Sequence, residues 1–144
     1  MRPDSSVVML EVAAVLSQRA TCRKLRVGAV MVDRNMRIIG SGYNGTPRGL
    51  VHCLENPCNG VGAPKGADLC EAVHAEANAL LNCHDPERIY ACYCTHAPCL
   101  RCTKTLLNTS CEAIIFANAD GMEQPAMDLW LRAGRAWLHR SDLD

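Results

Sequence analysis

The sequence contains few aromatic residues and no excess of charge of either sign. Phe, Trp and Tyr make up 4% of the 144 residues, and 15 basic residues balance 15 acidic ones. Proteins that bind nucleic acids or anionic membranes usually carry basic patches, and binders of single strands add aromatic side chains that stack on bases. We therefore expect neither a nucleic acid nor a membrane as partner.

Long apolar runs are also missing. The longest one, from Val7 to Leu16, is interrupted by Glu11 and is shorter than the roughly 20 residues that span a bilayer. A secretory signal is not expected either, because Pro3 and Asp4 occupy the place of a basic segment and no clear cleavage site follows. These features predict a cytoplasmic protein that folds as one domain over residues 1–144.

Cysteine, in contrast, is abundant, with 10 residues in the chain. In a reducing compartment cysteines are more often metal ligands, catalytic groups or small buried hydrophobic residues than disulfide partners. We expect burial without a chemical role for Cys83, Cys92, Cys94 and Cys111.

Two short motifs indicate a metal site. His74-Ala75-Glu76 is followed by Pro98-Cys99-Leu100-Arg101-Cys102. One imidazole and two thiolates suit zinc, and three protein ligands leave a coordination position open, as catalytic sites do. If a helix begins at Cys99, both sulfurs lie on one face of its first turn, where the helix N-terminus stabilises thiolates. Glu76 is badly placed as a ligand but well placed as a general acid/base, so a hydrolytic site is predicted.

The combined pattern is more informative than either half. H-x-E followed by P-C-x-x-C is typical of zinc deaminases that act on cytosine or adenine rings. A C-x-x-C pair that begins a helix after a strand also occurs in thioredoxin-like redox proteins. A redox pair, however, does not explain His74 and Glu76.

The hydrophobic pattern predicts an α/β fold with the element order α-β-β-α-β-α-β-α-β. Such an order gives a central, mixed, five-stranded sheet with helices on both faces, and both zinc motifs begin helices on one side of it. The glycine- and proline-rich stretch 44–67 is predicted to be a long loop. Loops of this length in a compact domain are usually functional or are held in place by further bonds. The predicted helices are 5–20, 72–83, 99–110 and 125–133, and the predicted strands are 25–33, 36–43, 88–95, 111–118 and 137–138.

Longer segments of the chain resemble a known family. They are Val27-Gly28-Ala29-Val30, Gly42-Tyr43-Asn44-Gly45-Thr46-Pro47-Arg48-Gly49, His52-Cys53, His74 to Leu80 and Thr95 to Lys104. Together they resemble the deoxycytidylate deaminase family, including its bacterial and phage members, from about Thr21 to Asn118.

The resemblance implies a cytidine deaminase-like fold and the hydrolytic conversion of dCMP to dUMP, a precursor of dTMP. The matching positions imply that His74, Cys99 and Cys102 bind Zn²⁺ and that Glu76 moves the proton. They also imply two substrate contacts, from Asn44 to the deoxyribose and from Arg26 to the 5′-phosphate. A phage-encoded member would work in the host cytoplasm.

Regulation and assembly are also implied by the resemblance. The segment Gly42-Tyr43-Asn44-Gly45 is similar to a loop that binds dCTP, with Mg²⁺, or dTTP in regulated members, and those members are homohexamers. Several members hold a second, structural zinc. Its ligands resemble Cys22, Cys53 and Cys70, with Cys58, His52 or Glu71 as the fourth, although ordinary buried thiols explain these cysteines equally well.

Three other functions stay open at this point. The first is deamination of dCTP, alone or together with dCMP. The second is deamination of a base within tRNA or single-stranded DNA, which the low charge and few aromatic residues disfavour. The third is a zinc module without catalysis. Ala97 also departs from the family, where this position is often bulkier, and the change bears on how the pyrimidine is held.

Overall fold

The computed structural model describes residues 1–22, 24–58, 60–63 and 69–143. The described helices are α1 (Ser5–Ser17), α2 (Ala75–Leu81), α3 (Leu100–Leu107) and α4 (Gln124–Arg132), with 3-10 turns at Pro86–Arg88 and Arg140–Leu143. The strands are β1 (Gly28–Val32), β2 (Ile38–Tyr43), β3 (Ala91–His96), β4 (Ala113–Asn118) and β5 (Ala136–His139). This order confirms the predicted alternation.

The five strands form one mixed sheet in the order β2-β1-β3-β4-β5. β1 pairs antiparallel with both β2 and β3, whereas β3, β4 and β5 run parallel to one another. Because β3 and β4 are parallel neighbours, the residues that follow them emerge at the same edge of the sheet. The cysteine motif follows β3 at this edge.

Hydrophobic residues cover the two faces of the sheet separately. On one face Leu10 and Ala13 of α1 pack against Val30, Val32 and Tyr93. The other face carries the larger cluster, to which α2, α3 and α4 contribute. Its buried members include the four cysteines for which burial was predicted, Cys83, Cys92, Cys94 and Cys111. The prediction of helices on both faces is confirmed.

A close approach between α1 and β1 explains one glycine of the Val-Gly-Ala-Val segment. A Cβ atom on Gly28 would collide with the carbonyl of Ala13 in α1. Backbone atoms cannot yield as a flexible side chain can, so a larger residue would force the helix away from the sheet. The helix therefore rests directly on the strand at this point.

Both metal motifs lie at helix starts; α3 begins as predicted, whereas α2 begins at Ala75, three residues later than predicted. His74 is the N-cap residue of α2, and Cys99 is the N-cap residue of α3. The Cys99 sulfur accepts a hydrogen bond from the Cys102 backbone N–H at 3.4 Å, as a capping side chain does. The helices are shorter than predicted, because α2 ends at Leu81 and α3 at Leu107.

The first strand begins later than predicted, at Gly28 instead of Leu25. The Asn44 side chain accepts from the Val27 N–H and donates to the Leu25 carbonyl, each at 2.7 Å. A side chain thus satisfies the backbone groups that a neighbouring strand would otherwise bind. The segment just before the strand is irregular for this reason.

The segment predicted as an effector loop begins within β2, as the predicted strand 36–43 already implied. Gly42 and Tyr43 belong to β2, where they pair with Ala29 and Gly28, and only Asn44 and Gly45 lie beyond the strand. A Cβ atom on Gly42 would lie 2.6 Å from the Ala79 backbone nitrogen in α2. This glycine is therefore needed for packing of α2 against the sheet.

Among the residues that the structure describes, no helix combines the length and the apolar character that a membrane span requires.

Candidate active site

The two motifs bring three metal-binding side chains together. His74 Nδ1 lies 3.5 Å from the Cys99 sulfur and 3.3 Å from the Cys102 sulfur. Within the described residues, this is the one group of three or more His, Cys, Asp or Glu side chains whose ligand atoms all lie within 4.8 Å of one another. The predicted ligand set is therefore assembled at the N-termini of α2 and α3.

The two thiols have opposite tendencies to ionise. A hydrogen bond from the Cys102 thiol is the main cause that lowers the pKa of Cys99 to about 4, and the His74 ring also contributes. The same hydrogen bond, together with burial, raises the pKa of Cys102. The hydrogen bond with Cys99 raises the pKa of His74 as well. Of the two thiols, Cys99 is therefore the one that ionises more readily.

Zinc fits this set of donors. Tetrahedral zinc is bound by thiolate sulfur and imidazole nitrogen, and His74, Cys99 and Cys102 offer one nitrogen and two sulfurs that converge on a common point. A catalytic site needs one further position for solvent or substrate, and three protein ligands leave it available.

Glu76 lies beside these ligands and is only 5% exposed. It occupies the first turn of α2, and its carboxyl group interacts with Cys102. Burial is the largest effect on its ionisation, and it raises the pKa of Glu76 above the usual glutamate value. A carboxyl group whose pKa moves toward neutrality can both take up and release a proton near pH 7.

A cavity of about 280 Å³ opens onto the site. His74, Glu76 and Cys99 form part of its wall, and Asn44 faces it from the end of β2. Cavities with a perturbed acid and a few converging polar groups are typical of small-molecule sites. The space beside Glu76 is therefore the candidate substrate site.

Asn44, predicted to contact the sugar, lies in this cavity but also has a structural role. It is 7% exposed, and its amide bridges the backbones of Val27 and Leu25. One amide hydrogen of its NH₂ group is left for a ligand, because that group has two donors. The asparagine can therefore hold the cavity wall and a substrate at the same time.

Among the described residues, a basic side chain other than the predicted Arg26 lines the cavity. Arg26 is exposed and is not among the residues that line the cavity, whereas Lys24 is. The Lys24 ammonium group contacts the carbonyls of Gly60 and Ala63 at 3.5 and 3.4 Å. The ammonium group of Lys24 is therefore directed toward the side of the cavity next to Gly60 and Ala63, called here the loop side.

Besides Lys24, three ionisable side chains of the cavity wall were not predicted from the sequence. His96 ends β3, Asp120 follows β4, and Glu123 accepts a hydrogen bond from the Leu100 N–H at 3.2 Å, at the start of α3. Their positions follow from the topology, since β3 and β4 are parallel and end together. The proximity of Thr95-His96 to the cysteine motif was the available signal.

The cysteines predicted as ligands of a second zinc approach one another less closely. Cys53 and Cys58 have sulfurs 3.9 Å apart, and Cys70 interacts with both Cys22 and Cys58. Hydrogen bonds from the Glu71 and Gly60 backbones lower the pKa of Cys58. Cys22 and Cys53 are buried, Cys58 is half-buried and Cys70 is exposed; the alternative ligands His52 and Glu71 are exposed.

The arrangement defines a class of site. A buried glutamate beside one histidine and two cysteines, all at helix N-termini on one side of a mixed sheet, is the constellation of zinc-dependent base deaminases. A model of the cytidine and deoxycytidylate deaminase zinc-binding region matches residues 3–118. The chain belongs to the cytidine and deoxycytidylate deaminase family.

Individual relatives agree with this assignment. The deoxycytidylate deaminase of Mycobacterium phage D29 is 38% identical over 123 residues, which are 80% of this chain and 95% of the relative. The deoxycytidylate deaminase of Schizosaccharomyces pombe is 34% identical over 140 residues, 92% of this chain but 43% of the relative. The chain thus spans less than half the length of that yeast protein.

A solved structure confirms the predicted cytidine deaminase-like fold. The apo crystal structure of dCMP deaminase from cyanophage S-TIM5 superposes with a TM-score of 0.74 at 26% identity, covering 96% of this chain and 99% of the other. Cytidine deaminase from Mycobacterium tuberculosis superposes with a TM-score of 0.53 at 14% identity, covering 82% of this chain and 88% of the other, and supports the fold alone.

Proposed function

We propose that the protein hydrolyses dCMP to dUMP and ammonia, in the synthesis of pyrimidine deoxynucleotides. The observation that carries the proposal is the buried Glu76 beside the His74, Cys99 and Cys102 cluster, in a cavity that Asn44 also lines. The relatives named deoxycytidylate deaminase, from both a phage and yeast, support dCMP as the substrate.

His74, Cys99 and Cys102 would hold the zinc ion. The ion would supply Lewis-acid chemistry, which lowers the pKa of bound water toward about 7. Glu76 accepts a proton from the attacking water and delivers it to N3 of the pyrimidine, which prepares C4 for the new C–O bond. The same carboxyl group then carries the proton of the new C4 hydroxyl to the departing nitrogen, so that the C4–N bond breaks, ammonia leaves and the C4 carbonyl forms. Water and dCMP are thereby converted to dUMP and ammonia.

Nearby side chains support an assignment of the rest of the nucleotide. Asn44 would hydrogen-bond the deoxyribose. A 5′-phosphate needs a cation, for which the sequence favours Arg26 and the cavity lining favours Lys24. Lys24 is the better candidate because its side chain already lines the cavity; its ammonium group would exchange its contacts with the Gly60 and Ala63 carbonyls for the phosphate.

A panel of substrates tests the function. We expect ammonia release from dCMP to exceed that from deoxycytidine by about 10–100-fold in kcat/KM, because a charge-assisted hydrogen bond to phosphate contributes about 1.5–3 kcal/mol. The same assay includes dCTP, a cytosine-containing oligonucleotide and tRNA, which represent the other enzymatic functions.

The panel can contradict the proposal in four ways. Turnover of the polymers alone would identify a deaminase of nucleic acids, and preference for dCTP would identify a triphosphate enzyme. Equal kcat/KM for dCMP and deoxycytidine would show that neither Lys24 nor Arg26 contacts the 5′-phosphate. Lack of turnover by the zinc-loaded protein would leave the zinc module as the remaining function.

Regulation and assembly are part of the proposal. Asn44 and Gly45, with Gly42 and Tyr43 at the end of β2, would form part of an effector site for dTTP or for dCTP with Mg²⁺, in a homohexamer in the cytoplasm. Their resemblance to the corresponding segment of regulated members supports this assignment. Repeating the dCMP assay with dCTP and Mg²⁺ or with dTTP tests regulation, and light scattering tests the oligomeric state.

We also propose a second, structural zinc ion bound by Cys22, Cys53 and Cys70, with Cys58 as the fourth ligand. Cys58 is preferred over His52 and Glu71 because its sulfur lies near that of Cys53 and interacts with Cys70. Four thiolates form a closed, structural zinc site, which would hold the long loop.

Metal counting tests the second zinc. We expect about two zinc ions per wild-type chain and about one in Cys53→Ser and in Cys99→Ser, since each variant removes a ligand of a different site. A wild-type content of about one, lost entirely in Cys99→Ser and retained in Cys53→Ser, would exclude the structural ion.

A further inference from the structure

His96 lies in the cavity wall, and its neighbours determine which ring nitrogen carries the proton. The His96 Nδ1 atom is 3.0 Å from the Thr95 hydroxyl. That hydroxyl also accepts a hydrogen bond from the Gly28 N–H at 3.1 Å. The two contacts form a short chain from β1, through Thr95, to the imidazole ring.

The direction of the hydrogen bond between Thr95 and His96 follows from the hydrogens that each group can donate. A threonine hydroxyl has one hydrogen to donate, and Thr95 is 9% exposed, so this hydrogen needs a protein acceptor. His96 Nδ1 is the acceptor that the described residues provide within hydrogen-bonding distance. If Nδ1 accepts, the proton of the neutral ring resides on Nε2.

The protonation state agrees with this geometry. Burial lowers the pKa of His96, and the nearby Asp120 carboxylate acts in the opposite direction without reversing the shift. A neutral ring with its proton on Nε2 is a hydrogen-bond donor and cannot accept at that atom. No hydrogen-bond partner for Nε2 is found among the described residues, and the ring lines the cavity.

The charges around His96 indicate which part of a nucleotide it meets. Asp120 and Glu123 line the same part of the cavity, beyond the ends of β3 and β4. Their negative charges disfavour a phosphate there, whereas Lys24 on the loop side favours one. The His96 donor is therefore suited to an uncharged oxygen of the nucleoside, either the pyrimidine carbonyl or a sugar oxygen.

We propose that His96 is a substrate-binding residue that donates from Nε2 to an uncharged nucleoside oxygen, and that Thr95 is the positioning residue that fixes this tautomer. The substrate contact rests on the proposed nucleotide deamination. The tautomer does not, because it follows from Gly28, Thr95 and His96 alone.

Kinetics of zinc-loaded variants test the contact. We expect His96→Leu to raise KM for dCMP about 2–10-fold with little change in kcat, as loss of one hydrogen bond present equally in the ground and transition states predicts. His96→Gln should recover part of this loss, because its amide places an N–H near the position of Nε2. His84→Leu is the matched control, because it makes the same change at an exposed position outside the cavity lining and should keep the wild-type KM. The KM for deoxycytidine should rise by the same factor in His96→Leu, since the proposed contact does not involve the phosphate.

Nitrogen-15 NMR of the imidazole tests the role of Thr95. Wild-type protein should show a proton on Nε2 and none on Nδ1. In Thr95→Val, His96 should lose its preference for a proton on Nε2 and the KM for dCMP should rise. In Thr95→Ser, the preference and the wild-type KM should return, because serine keeps the hydroxyl. The restoration separates positioning from a general loss of stability.

Three results would overturn the inference. They are a proton on Nδ1 in the wild type, an unchanged KM in folded His96→Leu, and a KM increase confined to dCMP, which would place the donor on the phosphate. If the wild type released no ammonia from dCMP while NMR showed the Nε2 proton, the proposed function would fail and the tautomer assignment would stand.

Discussion

Glu76→Gln is expected to lower kcat for dCMP by roughly 10²–10⁴-fold, the usual contribution of a positioned general acid/base. The amide has nearly the same shape as the carboxyl group but cannot take a proton from water or deliver one to N3. The site around it, where Glu76 is 5% exposed, should accept the substitution without rearrangement. Steady-state ammonia release and zinc content, measured on the same preparation, check both parts of the expectation.

A matched variant shows whether the loss is specific. Glu87→Gln makes the same chemical change at an exposed position in the 3-10 turn after α2, and it should keep wild-type turnover. If Glu76→Gln retained zinc and also retained activity, the assignment of the proton transfer to this residue would be wrong. If it lost zinc, Glu76 would have a part in metal binding that the structure does not suggest.

Cys102→Ser is expected to remove the catalytic zinc and abolish dCMP turnover. Zinc in such sites is bound by thiolates, and a serine hydroxyl keeps its proton near pH 7 and is a much weaker ligand. The sulfur of Cys102 lies 3.3 Å from His74 Nδ1, and both atoms would contact the same ion. Zinc content by elemental analysis and ammonia release should fall together.

Cys83→Ala is the control for loss of a buried thiol. Cys83 is 9% exposed, packs in the hydrophobic cluster and is not part of the metal-binding group. Its substitution should preserve both zinc and turnover, with a modest loss of stability from the missing contacts. Full zinc content and activity in Cys102→Ser would contradict the ligand set derived from the two motifs.

The clustering of His74, Cys99 and Cys102 could be predicted because their geometry is local. Cys99 and Cys102 are held by one helical turn, and His74 and Glu76 lie at the start of another. Short spacings at helix N-termini determine where such side chains lie, and the sheet only has to bring two helix ends together. The alternation of strands and helices was predictable for a similar reason, since it depends on periodicity.

The cavity wall was harder to predict because it depends on irregular backbone. In the segment before β1, no periodic pattern indicates which side chain faces inward, and Lys24 lines the cavity where Arg26 was expected. The orientation of His96 depends on a hydroxyl that itself binds a different strand, at Gly28. Contacts of this kind appear only when the strands are assembled.

The bridge made by Asn44 has a consequence for any attempt to change the sugar preference. Its amide forms hydrogen bonds with the Leu25 carbonyl and the Val27 N–H, and both of these residues line the cavity. Replacing it would alter the shape of the pocket along with the proposed contact to the deoxyribose. Redesign of sugar selectivity would therefore start from neighbouring cavity residues whose side chains do not hydrogen-bond the backbone of the cavity wall.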